Sequence, residues 1–568
     1  MADKNSFLFD HLILPNAYLT SPVAQDSGLA TIEPPPNLPQ VRNLREVYLP
    51  QTVDQPTEFI LGWDREEVGY LILSLSGAGC EITCFYRESW EEAIGRGFPH
   101  FEHWEARMQI DQVHLKAGET SWQSPDRRAF RYCRLRIVPD SGPVTIEEIA
   151  LRPCGHPVQL LGRFECSDDR VNKMWEVGVH MVRLCMQEVY EDGVRRDRMA
   201  WILDAQVEAL VNYYAFGDRE LFATTWRHFV TKQFDDGLID SLWDYSCWWV
   251  IALHDYYLHT ADLNLVRALY PNGIAGMERL LDRRDNLCLL SKEGRQEVFG
   301  GGEAIFYKAL LDLGALAASL GESSDARRYL DAADELRYAI YRHLWDPARG
   351  VYIDRRPRHK FIGHRANFTC VEESLNAFAL LFGLADQKRA LKVSKYLQEH
   401  LWSPYGSFPH ERPRKSDGTY ASVPRQEGSP VHDDCIWPVM NFYEVEGYFR
   451  WDMPQAWELL QRCWGNLLDQ GATTYWEYVH QDGTIPALWT SLCHGWSAGV
   501  SYSLPASVVG IKPLTPGFAT FEICPHLGPL ELARASVPTP YVAISALVQK
   551  EGDQVKVESV DAPPNVDG

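Results

Sequence analysis

The chain has 568 residues, of which 45% are hydrophobic, and a formal net charge of -22 at pH 7. This length and apolar content are typical of a globular protein with a sizeable core, in two to four domains or in one large helical domain with attachments. Because a negative field repels phosphate groups, the charge argues against nucleic acid or an anionic membrane as a partner and favours a neutral ligand.

The first residues, MADKNSFLFDHLILPNAYLTSP, contain no basic segment followed by an apolar one. No later run reaches the roughly 18 apolar residues that a membrane span needs. We therefore expect a cytoplasmic protein that crosses no membrane. Its 13 cysteines include no C-x-x-C pair, so we expect reduced, mostly buried thiols rather than a disulfide framework or a zinc site. We expect neither a metal nor a cofactor.

The portion from about residue 40 to 155 consists of short alternating runs, such as GYLILSLSG and RYCRLRIV, separated by Gly, Pro, Asp and Ser. This pattern predicts a β-sandwich. No acid pair or ligand cluster recurs within this portion.

From about residue 165 to 505 the chain has long segments of helical periodicity, among them VNKMWEVGVHMVRLCMQEVY and IFYKALLDLGALAASLG. Ten to twelve such helices suit either a solenoid or a ring of helix pairs. A solenoid requires self-similarity at a fixed period, and none is found, so we predict a closed toroid. In a toroid, loops that are distant in sequence converge on one central cavity.

After residue 505 the β pattern returns in ATFEICPHL, YVAISALVQK and QVKVESV, followed by a Pro-containing acidic tail that we expect to be disordered. We therefore predict a mainly α protein whose (α/α)6 barrel is flanked by an N-terminal β-sandwich and a small C-terminal one. The predicted boundaries are 1–160 for the N-terminal segment and sandwich, 161–505 for the barrel, and 506–568 for the C-terminal domain and tail.

Tryptophan occurs 19 times and is bunched beside acidic residues and histidine. Indole faces stack on pyranose rings, while sugar hydroxyls need polar partners, so these bunches favour a carbohydrate cleft. Core packing is the alternative for each single ring. The bunches contain Trp243, Trp248, Trp249, Trp476, Trp489 and Trp496.

The stretch YEDGVRRDRMAWILDAQ, residues 190–206, lies between two predicted helices, and the second of them begins near Met199. A solvated loop with locally paired charges is one interpretation. Trp201 and Asp204 argue against it, because they continue the pattern into an apolar helix start.

DGVRRDRMAWILDAQ resembles the signature of the inverting α-L-rhamnosidases of glycoside hydrolase family 78. The positions that match are Asp192, Arg196, Trp201 and Asp204. GATTYWEYV and SLCHGWSAGVSYSLPASVVGIKPLTPGF also resemble segments of that family, and the resemblance extends over roughly residues 160–530. It implies an enzyme that hydrolyses glycosides with inversion of configuration.

Inverting hydrolysis needs one carboxylic acid that protonates the leaving oxygen and one carboxylate that activates water, about 6.5 to 9.5 Å apart. The resemblance implies Glu477 as the general base. At the position of the family's general acid, the usual Glu is replaced by Asp197, which is one methylene shorter. The resemblance further implies sugar contacts for Asp192, Arg196, Asp204 and His494, and Glu191 and Glu303 are alternative carboxylates.

We expect release of terminal α-L-rhamnose, or a related deoxyhexose, from small glycosides or oligosaccharides. A polysaccharide lyase on the same fold is a rival, because Arg195, Arg196, Arg198 and Tyr190 supply the residue types that a lyase needs. A non-catalytic carbohydrate-binding protein is another. The segment PVHDDCIWP, with His432, Asp433 and Asp434, is more typical of a rim loop than of a metal site, because consecutive aspartates do not easily bind one ion.

Overall fold

The computed structural model describes residues 16–19, 49–93, 110–195, 197–290, 301–353, 371–411, 435–486, 490–552 and 554–562. Arg196, Trp489, the segment 431–434 and the C-terminal tail, on which several sequence predictions fell, lie outside the described residues. None of the helices in the described ranges combines the length and the apolar composition that a membrane span requires.

The N-terminal portion folds into one eight-stranded antiparallel sheet with the main order β2-β8-β3-β7-β4-β5, while β1 and β6 both pair with β3. Its alternating residues, such as Leu71, Leu73 and Leu75, are buried on one side, as the period of two predicts. The strands are β1 (Asn16–Leu19), β2 (Gln51–Val53), β3 (Thr57–Gly77), β4 (Cys80–Arg87), β5 (Ile110–Leu115), β6 (Ser121–Gln123), β7 (Arg128–Pro139) and β8 (Val144–Pro153).

Strand β3 is 21 residues long, and its register with β7 shifts between Gly62 and Glu67. At such an irregularity a few residues are left without a partner in the neighbouring strand, and their side chains change direction. The released backbone meets the helical portion: the N–H of Glu66 donates to Oγ1 of Thr473 (3.2 Å), and Nε2 of His180 lies 2.8 Å from the carbonyl of Glu66. A short helix, α1 (Trp90–Ala93), follows β4.

The helical portion contains long helices with side-chain caps and left-handed ends. Asp168, Asp262 and Asp386 cap helix N-termini through their carboxylates. Its helices are α2 (Asp169–Cys185), α3 (Ile202–Ala215), α4 (Glu220–Val230), α5 (Trp243–Thr260), α6 (Leu263–Leu281), α7 (Gly302–Leu320), α8 (Ser323–His343), α9 (Glu373–Leu381), α10 (Gln387–His400), α11 (Pro438–Arg450), α12 (Gln455–Leu460), α13 (Asn466–Asp469) and α14 (Val500–Ser503).

Short turns of other geometry adjoin three of these helices. A π-helical turn, Gln461–Gly465, joins α12 to α13, while the 3-10 turn Gly495–Gly499 and the π turn Leu504–Val508 flank α14. Two-residue strands pair between the helices, namely β10 (Trp345–Asp346) with β11 (Val351–Tyr352), β12 (Trp402–Ser403) with β13 (Gly406–Ser407), and β14 (Cys435–Ile436) with β15 (Val479–His480).

Six helical elements contact one another in succession and close on themselves. Helix α3 packs on α5, α5 on α7, α7 on α9, α9 on α11, α11 on the turn Gly495–Gly499, and that turn packs on α3 again. Other helices, such as α8 and α10, pack outside this succession. Buried acidic residues occupy the first turn of four members of the ring, namely Asp204, Asp244, Glu303 and Glu373.

The C-terminal portion forms a four-stranded antiparallel sheet of order β20-β19-β18-β9. Its first strand in sequence, β9 (Arg163–Cys166), precedes all the long helices, so this sheet draws on both ends of the helical portion. The other strands are β16 (Ile511–Pro513), β17 (Phe521–Ile523), β18 (Leu532–Val537), β19 (Ile544–Glu551) and β20 (Gln554–Asp561), of which β16 and β17 pair separately. One continuous apolar core joins the helices to this sheet.

Candidate functional site

The loop between α2 and α3 is fixed at Asp192 by backbone hydrogen bonds. The N–H of Asp192 donates to the carbonyl of Met199 (3.0 Å), and Oδ1 of Asp192 accepts from the N–H of Met199 (3.1 Å). On the other side, the N–H of Gly495 donates to the carbonyl of Asp192 (2.7 Å), and Gly193 forms an antiparallel bridge with His494. The two motif segments of the sequence, 300 positions apart, therefore lie side by side.

Asp197 stands at the turn of this loop in a left-handed conformation, with φ of 58°, and Arg198 follows with φ of 50°. Asp tolerates this region better than most residues, whereas Arg adopts it at a cost of about 1 to 3 kcal/mol. The guanidinium of Arg198 donates to the carbonyls of Val194 (2.7 Å) and Arg127 (3.1 Å), which holds the turn in place. Asp197 is half-buried.

Glu477 is buried on a segment that pairs with residues 491–496. Its N–H donates to the carbonyl of Ser491 (2.9 Å), and its Oε2 accepts from the N–H of Ser491 (3.3 Å). The indole N–H of Trp496 donates to the carbonyl of Glu477 (3.2 Å). Backbone and carboxylate are thus both oriented by the strand-like stretch before His494.

His494 is the centre on which three carboxylates converge. Its Nδ1 lies 3.4 Å from Oδ1 of Asp204, and its Nε2 lies 3.7 Å from Oε1 of Glu477 and 3.9 Å from Oδ2 of Asp192. All four side chains are buried. Since the three acids come from three different segments, the helical ring and the loops at its end bring them together.

Asp197 also influences the pKa values of two acids in this cluster. Burial raises the pKa of Asp192 well above its usual range, and the neighbouring carboxylates of Asp204 and Asp197 add to the effect. Burial likewise raises the pKa of Asp204, with further contributions from Glu477 and Asp197. Asp197 and Glu477 therefore both lie close enough to Asp204 to act on its ionisation.

Another buried acid lies directly behind this cluster. Glu208, one helical turn after Asp204 on α3, is fully buried, and burial raises its pKa well above its usual range. A Cβ on Gly495 would stand 1.8 Å from Oε1 of Glu208, so only glycine leaves room for this carboxyl group. The sequence prediction did not include Glu208, although an acid on an apolar helix, four residues after Asp204, is an available signal.

The predicted aromatic wall divides into two groups. Trp201 is half-buried and meets Tyr245 edge to face, with ring centroids 6.0 Å apart, while Trp496 stacks on Trp437 at 5.9 Å and lies 4.6 Å from the ring of His494. Trp476 precedes Glu477, and its carbonyl accepts from the hydroxyl of Ser497 (2.7 Å). These rings belong to the segments that carry the acids.

Trp249 differs from the prediction. It is fully buried in the middle of α5 and packs against Gly273 of α6, so it belongs to the packing between these helices. Trp248 is equally buried and contacts Phe378 and Tyr443. Trp243 is buried at the first residue of α5. Most residues of helix α5 are buried, on more than one of its faces.

The residue types predicted for a lyase are engaged elsewhere. Nη1 of Arg195 forms ion pairs with Glu88 (2.8 Å) and Glu92 (2.7 Å), and Arg198 holds the turn described above. Tyr190 is buried, and Glu191 pairs with Arg127. Arg196 lies outside the described residues. Glu303 is fully buried at the start of α7.

The partners of Arg195 correct one expectation. Glu88 and Glu92 are an acid pair within the β-rich portion, where the sequence indicated no recurring pair, and both are buried against the loop that carries Asp197. The local signal was a capping box over Ser89–Glu92, in which Ser89 Oγ accepts from the N–H of Glu92 (3.2 Å) and Glu92 Oε2 from that of Ser89 (3.4 Å).

Within the described ranges, no group of three or more His, Cys, Asp or Glu side chains is arranged to hold a metal ion.

Residues 159–404 match the family model described as the bacterial alpha-L-rhamnosidase 6 hairpin glycosidase domain. The resemblance to glycoside hydrolase family 78 that the sequence indicated is confirmed. Among curated proteins, the N,N'-diacetylchitobiose phosphorylase of Vibrio proteolyticus is 26% identical over 192 residues, which are 30% of this chain and 24% of that protein.

Solved structures share the fold over most of the chain. The GH78 family rhamnosidase of Bacillus sp. GL1 superposes with a TM-score of 0.74 at 23% identity and covers 92% of this chain, which spans 54% of that one. The rhamnosidase from Klebsiella oxytoca with rhamnose bound gives a TM-score of 0.67 at 19% identity, covering 87% of this chain and 94% of that one. The rhamnosidase of Streptomyces avermitilis complexed with L-rhamnose gives 0.67 at 18%, covering 90% and 48%.

Proposed function

We propose that this chain, whose residues 159–404 match the bacterial alpha-L-rhamnosidase model, hydrolyses a glycoside that ends in α-L-rhamnose or a related deoxyhexose, with inversion at the anomeric carbon. The substrates that we propose are small glycosides and oligosaccharides. The observation that carries the proposal is the convergence of Asp192, Asp204 and Glu477 on His494, with Asp197 acting on the same cluster.

The architecture that we propose for this site is an (α/α)6 toroid whose cavity holds the sugar. The cyclic succession of helix contacts supports it, and so does the recurrence of buried acids in the first turns of four inner helices. Negative side chains at helix N-termini are stabilised by the helix dipole, which offsets part of the cost of burying several acids at one end of a helical ring.

In the proposed mechanism, Asp197 donates a proton to the leaving oxygen while Glu477 accepts a proton from the attacking water. The protonated aglycone oxygen departs with the electrons of the glycosidic bond, and the water oxygen bonds to the anomeric carbon from the opposite face. The buried carboxylate of Glu477 is held by backbone N–H of Ser491, which suits a group that must keep one orientation. The left-handed turn at Asp197 presents the second carboxyl from a different loop.

The remaining members of the cluster are proposed as hydroxyl-binding groups, together with Arg196. A carboxyl whose pKa is raised, as at Asp192 and Asp204, can donate a hydrogen bond as well as accept one, which suits the mixed character of a sugar hydroxyl. His494 lies between these carboxyls and Glu477 and is proposed as a direct sugar contact. Trp201, Trp243, Trp476 and Trp496 are proposed as the apolar wall.

The decisive experiment incubates the purified protein with an aryl α-L-rhamnoside and follows the first-formed sugar by proton NMR. Initial release of free β-L-rhamnose, which later equilibrates, is the expected result. Free α-anomer would overturn inversion, and no turnover alongside calorimetric binding of rhamnose would indicate a carbohydrate-binding protein. A parallel reaction with inorganic phosphate distinguishes a phosphorylase, which would form a sugar phosphate. A uronic-acid-linked polysaccharide tests lyase chemistry, whose unsaturated product absorbs ultraviolet light.

A further inference from the structure

Glu88 connects the N-terminal sheet to two loops of the candidate site through one oxygen atom. It follows β4 directly, and its side chain is fully buried. Oε2 of Glu88 accepts from Nη1 of Arg195 (2.8 Å) and from the backbone N–H of Leu492 (3.0 Å). These donors lie in separate segments, nearly 300 positions apart along the chain.

Each donor stands close to a residue of the proposed catalytic pair. Arg195 is two positions before Asp197, in the loop with two successive left-handed residues. Leu492 follows Ser491, whose N–H and carbonyl both bind Glu477, and precedes His494 by two positions. A displacement of Glu88 Oε2 would therefore shift Asp197 through the loop of Arg195, and it would shift Glu477 through the loop of Leu492.

The charges around Glu88 keep this link strong although it is buried. Burial alone would lower the pKa of Arg195, but the carboxylates of Glu92 and Glu88 outweigh it and hold the pKa above its usual value, so the guanidinium stays charged. Burial raises the pKa of Glu88 itself, and Arg195 opposes that rise. Hydrogen bonds between charged partners are about twice as strong as neutral ones.

The loop that contains Leu492 and His494 is also held through the carbonyl of Leu492. The hydroxyl of Thr474 donates to the carbonyl of Leu492 (2.8 Å) and lies 3.3 Å from Oε2 of Glu66, which sits at the irregular point of β3. Burial and the adjacent Glu88 raise the pKa of Glu66 well above its usual range. Leu492 is thus held at its N–H by Glu88 and at its carbonyl by Thr474, which in turn lies beside Glu66 of the sheet.

From this geometry we infer that Glu88 is a positioning residue of the N-terminal sheet, which sets the loop of Asp197 and the loop of Glu477 and His494 at a fixed distance from each other. The link between the loops stands on the hydrogen bonds alone, whereas its catalytic consequence rests on the proposed function. The sheet is accordingly part of the working site, and its contribution is one carboxylate oxygen shared by two loops.

Two variants of Glu88 and one matched control test this inference. Glu88→Asp keeps the buried charge but shortens the side chain by one methylene, so one oxygen can no longer reach both donors. Glu88→Gln keeps the length but removes the charge. Glu92→Gln is the control, because Glu92 pairs with the same guanidinium but has no hydrogen bond to Leu492 among its described contacts. Its other oxygen accepts from the N–H of Glu88 (3.0 Å) and from that of Ser89.

The first readout is backbone hydrogen exchange, which does not depend on catalysis. In both Glu88 variants we expect faster exchange within 192–198 and also within 490–496, whereas Glu92→Gln leaves 490–496 unchanged. Equal protection of 490–496 in the wild type and in the two Glu88 variants would overturn the inference. If Glu88→Gln fails to fold, Glu88→Asp still decides the question, since it keeps a negative charge in the buried site beside Arg195.

The second readout is kinetic. Displacement of a reacting group by about 1 Å costs roughly a hundredfold in rate, so we expect kcat for an aryl rhamnoside to fall by about that factor in Glu88→Asp, with KM within about threefold. Glu92→Gln should stay within about threefold in both constants. A loss of Tm without a loss of kcat in Glu88→Asp would reduce Glu88 to a structural ion pair. An inactive wild type would refute the proposed function and leave the exchange result standing.

Discussion

Nε2 of His494 lies 3.7 Å from Oε1 of Glu477, and two further buried carboxylates, those of Asp192 and Asp204, face the same imidazole. Nδ1 of this ring faces Asp204, whereas Nε2 faces both Glu477 and Asp192. Burial raises the pKa of Asp192 and that of Asp204, and neighbouring carboxylates add to both shifts. The acids of the candidate site are therefore linked electrostatically through Asp204.

Glu477→Gln should lower the rate of rhamnoside hydrolysis by about 100- to 10,000-fold, since general-base assistance contributes on that order. The amide keeps the hydrogen bond from Ser491, so the thermal unfolding midpoint should change little. Steady-state rates and differential scanning fluorimetry measure the two effects. The matched control is Glu458→Gln, an exposed partner of Arg462, which should leave both quantities unchanged. Retention of most activity in Glu477→Gln would exclude Glu477 as the base.

Asp197→Asn should discriminate between leaving groups. An alkyl rhamnoside needs protonation of its leaving oxygen, whereas an aryl group with strongly electron-withdrawing substituents departs with little help. We therefore expect a loss of at least about 100-fold for the alkyl substrate and a much smaller one for the activated aryl substrate. Measurement of kcat/KM for both substrates checks this, and equal losses would count against Asp197 as the acid.

His494→Ala should weaken the binding of free rhamnose. It removes a proposed sugar contact and leaves Asp192, Asp204 and Glu477 facing one another across the vacated space. We expect the Kd to rise by roughly tenfold or more, which corresponds to about 1.4 kcal/mol, as measured by isothermal titration calorimetry. His114→Ala is the control, because His114 is exposed on the N-terminal sheet beside Asp140. An unchanged Kd in His494→Ala would assign the histidine to holding the loop alone.

Glu208→Gln should make the protein relatively more stable as the pH rises. The folded-state pKa of Glu208 is raised, so the native state keeps its proton above the pH at which the unfolded chain releases one. Stability is fully present below the unfolded pKa and then falls with pH, by about 1.4 kcal/mol per unit for one group, until the folded pKa is passed. Glutamine removes this loss.

Denaturant unfolding at pH 5 and pH 8 measures the effect for Glu208→Gln. The variant's advantage in free energy of unfolding should be larger at pH 8 than at pH 5. The opposite order would show that Glu208 is ionised in the native protein. Because glutamine has nearly the same shape, the close contact with Gly495 is preserved in both comparisons.

Trp249→Ala and Trp201→Ala should have opposite profiles. Truncation of the fully buried Trp249 leaves a cavity between α5 and α6 and should cost about 3 to 5 kcal/mol of stability. Trp201 is half-buried beside Tyr245, so its truncation should cost less stability. If Trp201 forms part of the sugar wall, Trp201→Ala should raise KM. A raised KM without destabilisation in Trp249→Ala would restore the original interpretation of Trp249 as a cleft residue.

Local sequence patterns were sufficient to predict most of the helices and strands, but they located the ends of these elements less well. The periodicity through Val171, Met174 and Met181 corresponds to α2, whereas the next helix begins at Ile202 rather than near Met199. The difference arises because Met199 pairs with Asp192 in the loop. A helix start depends on such side-chain contacts, which the apolar spacing does not contain.

The candidate site was accessible from the sequence only where a motif marked it. The neighbourhood of Asp192 and His494 followed from the family resemblance, and the aromatic bunches alone could not distinguish Trp249 in the core from Trp201 at the rim. The contact between Glu88 and Arg195 joins residues 107 positions apart, in portions with different secondary structure. Such a pairing depends on how the sheet docks on the helices, and no local pattern encodes that docking.

The pairing of β9 with β18 has a practical consequence for dissecting the chain. A fragment cut to contain only the long helices would discard one member of this pair and leave the other with unsatisfied edge groups. It would also expose the apolar surface that the helices share with the C-terminal sheet, which invites aggregation. Expression trials aimed at a minimal catalytic unit should therefore retain residues 163–166 and 532–537 together.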